Sequence, residues 1–347
     1  MVHLWVRAEE RENERRVGLV PEGAEALMER GFRVTVEESP DRIIPIEPYR
    51  EVGAEIVPRG SWREAPEEAL IYGLKELPED GAPLRHRHIM FGHAYKGQSA
   101  GQALLRRFKA GGGALLDLEY LTDASGRRVA AFGYWAGFVG AAVTLKAWAA
   151  GLRGAMCPPV REWEDQGDLV DDVRADLDGH ARPRALIVGA LGRVGTGAGD
   201  MCEQVGIAPI RWDMAETASG GPFPEILAQE LFFNCVLAGP HTPVFVPRES
   251  VAGPRSLAVI GDISCDPTSD FNPIPIYDSV TSWDDPVHRV ADDPVLDVMA
   301  IDNLPSLLPK ESSEDFAAQM LPHLLRLDEI GAGVWGRAAK TFKEHTE

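Results

Sequence analysis

Short apolar runs alternate with amphipathic segments along the first third of the chain. The runs predict strands at 4–6, 32–36, 54–57, 70–74, 89–91 and 114–118. Helices are predicted at 21–30, where proline opens the segment, and at 98–110, which ends at three consecutive glycines. Strands that alternate with helices are typical of an α/β fold built on a parallel sheet.

The pattern changes after residue 130. The longest apolar stretch, Val129 to Leu145, contains glycine and is too short to span a bilayer, so we expect the apolar helix predicted at 134–151 to be buried. Residues 161–178 hold eight acidic and two basic residues with little apolar periodicity, which predicts a solvated excursion or a surface helix. The remaining predictions are a second sheet that starts at Arg184, with later strands at 207–212, 232–237 and 257–263, a proline-rich loop at 272–276, a helix at 312–326 and a charged tail.

The second sheet opens with a pattern typical of a dinucleotide site. An apolar run ends in a turn with glycine at 189, 192 and 195, a helix is predicted to begin near Arg193, and the next strand stops at Asp213. Glycines let backbone amides approach a pyrophosphate, and the free N–H groups of a helix start favour phosphate. Asp213 would accept the ribose hydroxyls and repel a 2′-phosphate, which favours NAD over NADP. The spacing is G-x-x-G-x-x-G-x-G rather than G-x-G-x-x-G, so a ligand-free strand-to-helix corner is the alternative.

Length and charge narrow the class of protein. A chain of 347 residues predicts two domains, and 44% hydrophobic content suits a globular protein. A formal net charge of -19 opposes binding to nucleic acid or anionic membranes, so we expect neither as a partner. The four cysteines have no zinc-type spacing, which predicts isolated buried thiols and no metal, and the charged N-terminus is unlike a signal peptide. We expect a cytoplasmic location.

Three successive strands of the first half end in residues suited to proton transfer. Lys75, His93 and Glu119 follow the predicted strands, and parallel strands bring their carboxyl ends to one rim. A lysine would serve as a base only if a nearby cation or partial burial lowered its pKa from about 10.4. Polar residues also gather at strand ends without any function, which is the alternative. Positive charge near these ends suits a substrate with several carboxylates and comes from Arg16, Lys96, Arg127 and Arg128.

Several separate segments match one known family. They are Arg7-Ala-Glu9, Gly60-Ser-Trp62, Gly73-Leu-Lys-Glu76, His93-Ala-Tyr-Lys96, Gly126 to Gly133, Gly189-Ala-Leu-Gly-Arg193, Gly220 to Phe223, Asn272 to Ile276 and Asp302 to Pro309. In these segments the chain resembles the NAD-dependent, lysine-forming saccharopine dehydrogenases of the fungal lysine pathway, which are related to alanine dehydrogenase. The resemblance covers nearly the whole chain and is weakest at 157–180.

The resemblance implies a fold and a reaction. It implies two Rossmann-like domains with parallel sheets around a central cleft. Residues 1–131, with 313–347 returning to them, would form the substrate domain, and residues 132–312 the dinucleotide-binding domain. The implied reaction is reversible: saccharopine, NAD and water give lysine, 2-oxoglutarate and NADH.

The resemblance also implies roles for individual residues. Lys75 would take the proton of the secondary amine, and His93 would activate water. Residues on or beside positions that face substrate are Arg16, Glu76, Lys96, Gln98, Glu119, Arg127 and Arg128. Residues implied for NAD are Gly189, Leu191, Gly192, Arg193, Val194, Gly195, Asp213 and Asp302.

The chain departs from the family pattern at a few positions. Val194 stands where the family can carry cysteine, and Ser219 replaces a basic residue that can follow the ribose acid, so the departures concern cofactor affinity more than chemistry. Two alternatives stay open at this point. One is another opine-type or amino acid dehydrogenase on the same scaffold, and the other is a nucleotide-binding regulator without turnover.

Overall fold

The chain divides into two compact units. The computed structural model describes residues 1–95 and 99–346. One unit consists of residues 1–131 and the residues from Ser312 onward, and the other of residues 132–311. Each unit contains a six-stranded sheet, and all strand pairs are parallel except one at the edge of the second sheet. The predicted α/β class with two parallel sheets is confirmed.

The first sheet has the strand order β3-β2-β1-β4-β5-β6. Its strands are β1 His3–Val6, β2 Arg33–Glu37, β3 Glu55–Val57, β4 Leu70–Tyr72, β5 Arg87–Met90 and β6 Ala114–Asp117. The helices of this unit are α1 Pro21–Glu29, α2 Ile46–Glu51, α3 Ser99–Gly111, the part of α9 Pro309–Leu324 that follows Glu311, and α10 Gly333–Thr346.

The local sequence explains these elements. All four residues of β1 are buried, as expected for a strand near the middle of a sheet covered on both faces. Pro21 occupies the first turn of α1, where its missing N–H has no partner to lose. Gly31 ends that segment with φ of 88°, a left-handed conformation that favours glycine. The predicted strands and helices are present here, and three of the six strands, β3, β4 and β6, are shorter than predicted.

The second sheet has the order β11-β12-β10-β9-β7-β8. Its strands are β7 Ala185–Val188, β8 Ile210–Trp212, β9 Leu231–Asn234, β10 Val259–Asp262, β11 His288–Asp292 and β12 Val295–Met299. The helices are α4 Gly133–Leu152, α5 Gln166–Asp176, α6 Arg193–Gln204, α7 Met214–Thr217 and α8 Pro224–Leu227. The hairpin of β11 and β12 was not predicted, although the two aspartates and the proline at 292–294 separate its two strands.

The apolar helix α4 is a core helix, as predicted. Its length and mean hydropathy of 1.2 would allow it to span a membrane, but 78% of that stretch is buried inside the protein. Close contact with α6 depends on glycine, because a Cβ at Gly137 would overlap the carbonyl oxygen of Val194, and a Cβ at Gly197 would overlap that of Tyr134. The two backbones therefore approach each other in a way that no larger residue permits.

The acidic region holds a helix that is more firmly packed than predicted. One face of α5 buries Leu169, Val170 and Val173. Its acidic face binds the partly buried Lys146 of α4, whose Nζ lies 2.8 Å from an oxygen of Asp172 and 2.7 Å from one of Asp176. Burial lowers the pKa of Lys146, but the hydrogen bonds to these two carboxylates outweigh it and the pKa is raised.

The C-terminal segment, which was predicted only as a charged tail, is a packed helix. It forms α10, which buries Trp335, Ala338 and Phe342 on one side. The ring of Phe342 lies 5.8 Å from that of Phe108 on α3. Buried residues at i, i+3 and i+7 are the helical spacing that would have predicted this element from the sequence.

Candidate active site

The carboxyl ends of four neighbouring strands carry the charged residues of the first unit. In the sheet, β1, β4, β5 and β6 are adjacent and parallel. Glu9, Lys75, His93 and Glu119 each follow one of these strands by two or three residues. The predicted rim therefore exists, since the ends of parallel strands meet at one edge of the sheet.

The backbone of Lys75 is held by side chains that follow β1. The carboxylate of Glu9 accepts a hydrogen bond from the amide of Leu74 at 2.7 Å and another from the amide of Lys75 at 3.0 Å. Arg7 donates to the carbonyl oxygen of Lys75 and pairs with Glu9 at 3.3 Å. Lys75 itself is half-buried. No role was predicted for Arg7 or Glu9 from the sequence, although both lie in a segment that carried the resemblance.

His93 is presented by an uncommon backbone conformation. Its φ is 47°, in the left-handed region, where histidine occurs more often than most residues other than glycine. Its Nδ1 lies 3.2 Å from Oε2 of Glu119, and the His93 side chain is 51% exposed whereas that of Glu119 is 13% exposed. The ring stacks on Phe91 with centroids 6.3 Å apart. The imidazole is thus oriented by a carboxylate and still open to solvent, as a proton-transfer group requires.

The buried carboxyl group of Asp117 contacts the backbone of Glu119. Asp117 ends β6 and accepts a hydrogen bond from the amide of Glu119 at 2.9 Å. Burial raises the pKa of Asp117, against the effect of backbone hydrogen bonds from Glu119 and Gly92. Asp117 was not predicted as a site residue from the sequence.

Arg16 is buried and forms an ion pair. Its Nε and Nη2 donate to the two oxygens of Glu14 at 2.8 and 2.6 Å. Burial would raise the pKa of Glu14, but the charge and hydrogen bonds of Arg16 prevail and the pKa is lowered. A cavity of about 20 Å³ beside them, room for one water molecule, is lined by both residues and by Arg7, Arg42 and Tyr72 among others. Arg16 is therefore already compensated by a carboxylate, which the sequence did not indicate.

The other predicted substrate residues are more scattered. Glu76 is exposed and lies 3.7 Å from Arg11. Arg127 is exposed and Arg128 half-buried, on a turn closed by a bridge between Thr122 and Arg128. Lys96 and Gln98 lie outside the described residues.

The glycines of the turn in the second unit are required for two different reasons, backbone conformation and close packing. Gly189 has φ of 82°, which favours glycine, and Gly192 caps the start of α6, where no side chain in the described part of the chain caps the helix. Gly195 serves packing, because a Cβ there would overlap the carbonyl oxygen of Gly189. Arg193 is exposed, whereas Val194 is half-buried and packs against the core around α4.

Asp213 lies beside this turn at the end of β8. Its Oδ2 accepts a hydrogen bond from the amide of Leu191 at 3.1 Å, and its Oδ1 accepts one from Met214 at 2.9 Å. A pocket of about 800 Å³ is lined by Gly189, Leu191, Gly192 and Asp213, together with Met214, Val236, Pro240, His241, Thr242, Phe245 and neighbouring residues. Glycine amides, an uncapped helix start and one carboxylate at a largely apolar wall fit a dinucleotide.

A buried polar cluster lies at the ends of the neighbouring strands. Asp262, the last residue of β10, accepts hydrogen bonds from Asn234 at 2.8 Å and from the hydroxyl of Tyr277 at 2.6 Å. Burial raises the pKa of Asp262 to about 6, against the effect of these two hydrogen bonds. Asn234 also accepts from the amide of Val236, in the wall of the pocket. Asp302 is exposed in the same unit and follows a bridge between Thr281 and Ile301.

The histidines, cysteines and acids do not gather around a metal. Within residues 1–95 and 99–346, no group of three or more of these side chains could hold a metal ion. The four cysteines are unpaired, three of them are buried, and Cys265 is half-buried, in agreement with the prediction of isolated thiols.

Comparison with known proteins extends over the whole chain. Residues 5–139 match the family model for the N-terminal domain of alanine dehydrogenase and PNT. The chain is 44% identical to a protein named saccharopine dehydrogenase [NAD(+), L-lysine-forming] from Schizosaccharomyces pombe, covering 98% of this chain and 97% of the relative. It is 42% identical to the protein of the same name from Candida albicans, covering 99% and 97%. The chain belongs to the lysine-forming saccharopine dehydrogenase family.

Solved structures show the same fold outside this saccharopine dehydrogenase family. An L-alanine dehydrogenase superposes with a TM-score of 0.68 at 18% identity, covering 99% of this chain and 93% of that one. A transhydrogenase from Sinorhizobium meliloti gives 0.65 at 15% identity, with 95% of each chain covered. This chain thus shares its α/β fold with these proteins.

Proposed function

We propose that this protein is an NAD-dependent saccharopine dehydrogenase. It converts saccharopine, NAD and water into lysine, 2-oxoglutarate and NADH, and the reaction is reversible. The observation that carries the proposal is the 44% identity over 98% of the chain with a relative that bears this name. The rim of Lys75, His93 and Glu119 supplies the proton-transfer groups that such chemistry needs.

The second unit is the proposed dinucleotide-binding domain. The backbone from Gly189 to Gly195, including Leu191, Gly192, Arg193 and Val194, would hold the pyrophosphate at the start of α6. Asp213 would accept the ribose hydroxyls, and Asp302 would lie near the nicotinamide. NAD, when bound, accepts the hydride that leaves the substrate.

The first unit is the proposed substrate domain, with Lys75 as base. Its amine takes the proton from the secondary amine of saccharopine as the adjacent glutaryl carbon loses hydride. The lone pair on nitrogen then forms a C=N bond.

His93 has the proposed role in the hydrolytic half of the reaction. It takes a proton from water as the water oxygen bonds to the imine carbon, while the C=N pair moves to nitrogen, which takes back the proton held by Lys75. His93 then gives its proton to the departing lysine nitrogen as the C–N bond breaks, and takes the proton of the carbinolamine hydroxyl, whose oxygen becomes the keto oxygen of 2-oxoglutarate. The contact of His93 Nδ1 with Oε2 of Glu119, at 3.2 Å, holds the imidazole at the rim for these transfers.

Saccharopine carries three carboxylates, which would account for the positive charge near this rim. Arg16, Lys96, Gln98, Arg127 and Arg128 are the proposed partners, and Glu76 and Glu119 would balance that charge near Lys75. Because Arg16 is bound to Glu14, its part in this recognition depends on that pair. We place the reaction in the cytoplasm.

Purified protein tests the proposal directly. NADH oxidation should be fast with 2-oxoglutarate plus lysine and slow with pyruvate plus ammonia. A preference for the second pair would instead assign an alanine dehydrogenase activity. NAD binding without hydride transfer for any pair of amine and keto acid would indicate a regulator.

A further inference from the structure

We propose that Glu9 is a positioning residue that, together with Arg7, sets the direction in which Lys75 projects. This inference rests on the proposed function, in which the amine of Lys75 takes a proton from substrate. The hydrogen bonds around the Leu74–Lys75 peptide carry this inference, and neither Glu9 nor Arg7 needs to touch substrate for it to hold.

The sheet itself does not hold Lys75. The last ladder contacts of this segment are the amide of Gly73 with the carbonyl of Ile89, at 3.0 Å, and the amide of Phe91 with the carbonyl of Leu74, at 2.9 Å. Beyond them, the amide of Lys75 donates to Glu9 and its carbonyl oxygen accepts from Arg7. Both backbone polar groups of Lys75 are thus bound by side chains that follow the neighbouring strand β1.

The carboxylate of Glu9 accepts hydrogen bonds from two successive backbone amides. One carboxylate oxygen takes the amide of Leu74 and the other takes the amide of Lys75. The Glu9 side chain is only 9% exposed, and Arg7, with which it pairs, is 0% exposed. Charged acceptors make stronger hydrogen bonds than neutral ones, and partial burial protects them from competition by water. The peptide before the Lys75 side chain therefore has little freedom to rotate.

The segment from Arg7 to Glu9, whose side chains bind the backbone of Lys75, is itself held by buried residues of the first unit. The amide of Ala8, between Arg7 and Glu9, donates to Glu37 at 3.0 Å. Glu37 is fully buried and also accepts from Trp5, Gly60 and Trp62. Gly73 makes room for the guanidinium, because a Cβ there would overlap Arg7. Glu37 thus fixes the backbone between Arg7 and Glu9, and these two side chains bind the backbone of Lys75 directly. This arrangement is suited to orienting Lys75.

Replacement of Glu9 by glutamine tests the proposal. The amide oxygen of the new side chain accepts from one backbone N–H, whereas its NH₂ faces the other N–H and cannot accept. We expect kcat with saccharopine and NAD to fall about 10- to 100-fold, the loss that misplacement of a reacting group causes. The dissociation constant for NAD should stay unchanged, because Glu9 lies in the unit that does not contain Asp213. Glu10→Gln, at the exposed neighbouring position, should leave both values unchanged.

A double-mutant cycle separates positioning from general support of the fold. If Glu9 acts through Lys75, Glu9→Gln should lower the residual rate of Lys75→Met by less than about twofold. An equal loss of kcat in both backgrounds, or wild-type kcat in Glu9→Gln itself, overturns the proposal.

A second variant covers the case in which Glu9→Gln does not fold. Arg7→Lys keeps the charge beside Glu9 but cannot contact both Glu9 and the Lys75 carbonyl in the same way, so a smaller loss of kcat is expected, again absent in the Lys75→Met background. A loss that persists in that background contradicts the proposal. Failure of the wild-type protein to oxidise saccharopine would instead refute the proposed function.

Discussion

The two sheets end in rims of opposite character. In the first unit the strand ends carry charged side chains, Lys75, His93 and Glu119, and these are oriented by further side chains. In the second unit the corresponding rim consists mainly of backbone and apolar side chains around the glycine turn, with Asp213 as the charged residue in the pocket wall. The same architecture therefore presents titratable side chains at one rim and backbone amides with apolar side chains at the other.

The difference follows from what each ligand needs. Proton transfer needs titratable side chains at defined positions, and those positions have to be enforced by neighbours such as Glu9 and Glu119. A dinucleotide needs close approach of backbone amides, which glycine permits and a longer side chain would block. Changes in the first rim should therefore affect turnover, and changes in the second should affect NAD affinity.

Loss of the proposed base gives the largest expected effect. Lys75→Met should lower kcat about 10²- to 10⁴-fold, the usual contribution of a general acid or base. Stopped-flow or steady-state NADH formation measures this, and the dissociation constant for NAD should not change. Lys343→Met, at an exposed position of α10, is the matched control and should be fully active. Near-normal turnover in Lys75→Met would remove that residue from the mechanism.

Two buried carboxyls, Asp262 of the second unit and Glu14 of the first, should affect stability with opposite dependence on pH. The pKa of Asp262 is raised from 3.8 to about 6, so the folded protein holds a proton there that the unfolded chain loses first, and stability falls as pH rises from about 4 to 6. The pKa of Glu14 is lowered, so its contribution is present above its ordinary value of 4.5 and is lost as pH falls.

Asp262→Asn should remove the first of these effects. The difference in unfolding free energy between wild type and variant should shift by at most about 3 kcal/mol between pH 4 and pH 7, in favour of the variant at the higher pH. Denaturant unfolding at several pH values measures it. The exposed Asp178→Asn is the control. A difference that does not vary with pH would mean that Asp262 is ionised throughout this range.

Loss of the ribose acid should weaken cofactor binding without removing the chemistry. Asp213→Ala should raise the dissociation constant for NAD about 10- to 100-fold, the value of hydrogen bonds to a charged acceptor, and should bring the constants for NAD and NADP closer together. Displacement of bound, fluorescent NADH by NAD or by NADP measures both constants, with Asp178→Ala as the control. Unchanged constants would move the ribose contact to another residue.

The local pattern of apolar, polar and glycine residues predicted most of the fold and part of the site. Alternating runs predicted the strands of the first sheet, and the glycine turn predicted the start of α6 at Arg193. The hairpin of β11 and β12 and the helix α10 were missed, since short runs interrupted by charge resemble loop. The close packing of the acidic stretch was not predicted, because it depends on the ion pairs of Asp172 and Asp176 with Lys146, a residue of another helix.

The sequence alone determined the α/β class, the dinucleotide-type turn and the residues that end the strands, because these depend on periodicity, on glycine and on positions close together along the chain. Only the tertiary structure decided which groups support them. Glu9 reaches amides 65 and 66 positions away, and Glu37 and Asp262 are bound by residues from other elements. Such contacts follow from the folded arrangement of strands, and no spacing along the chain encodes them.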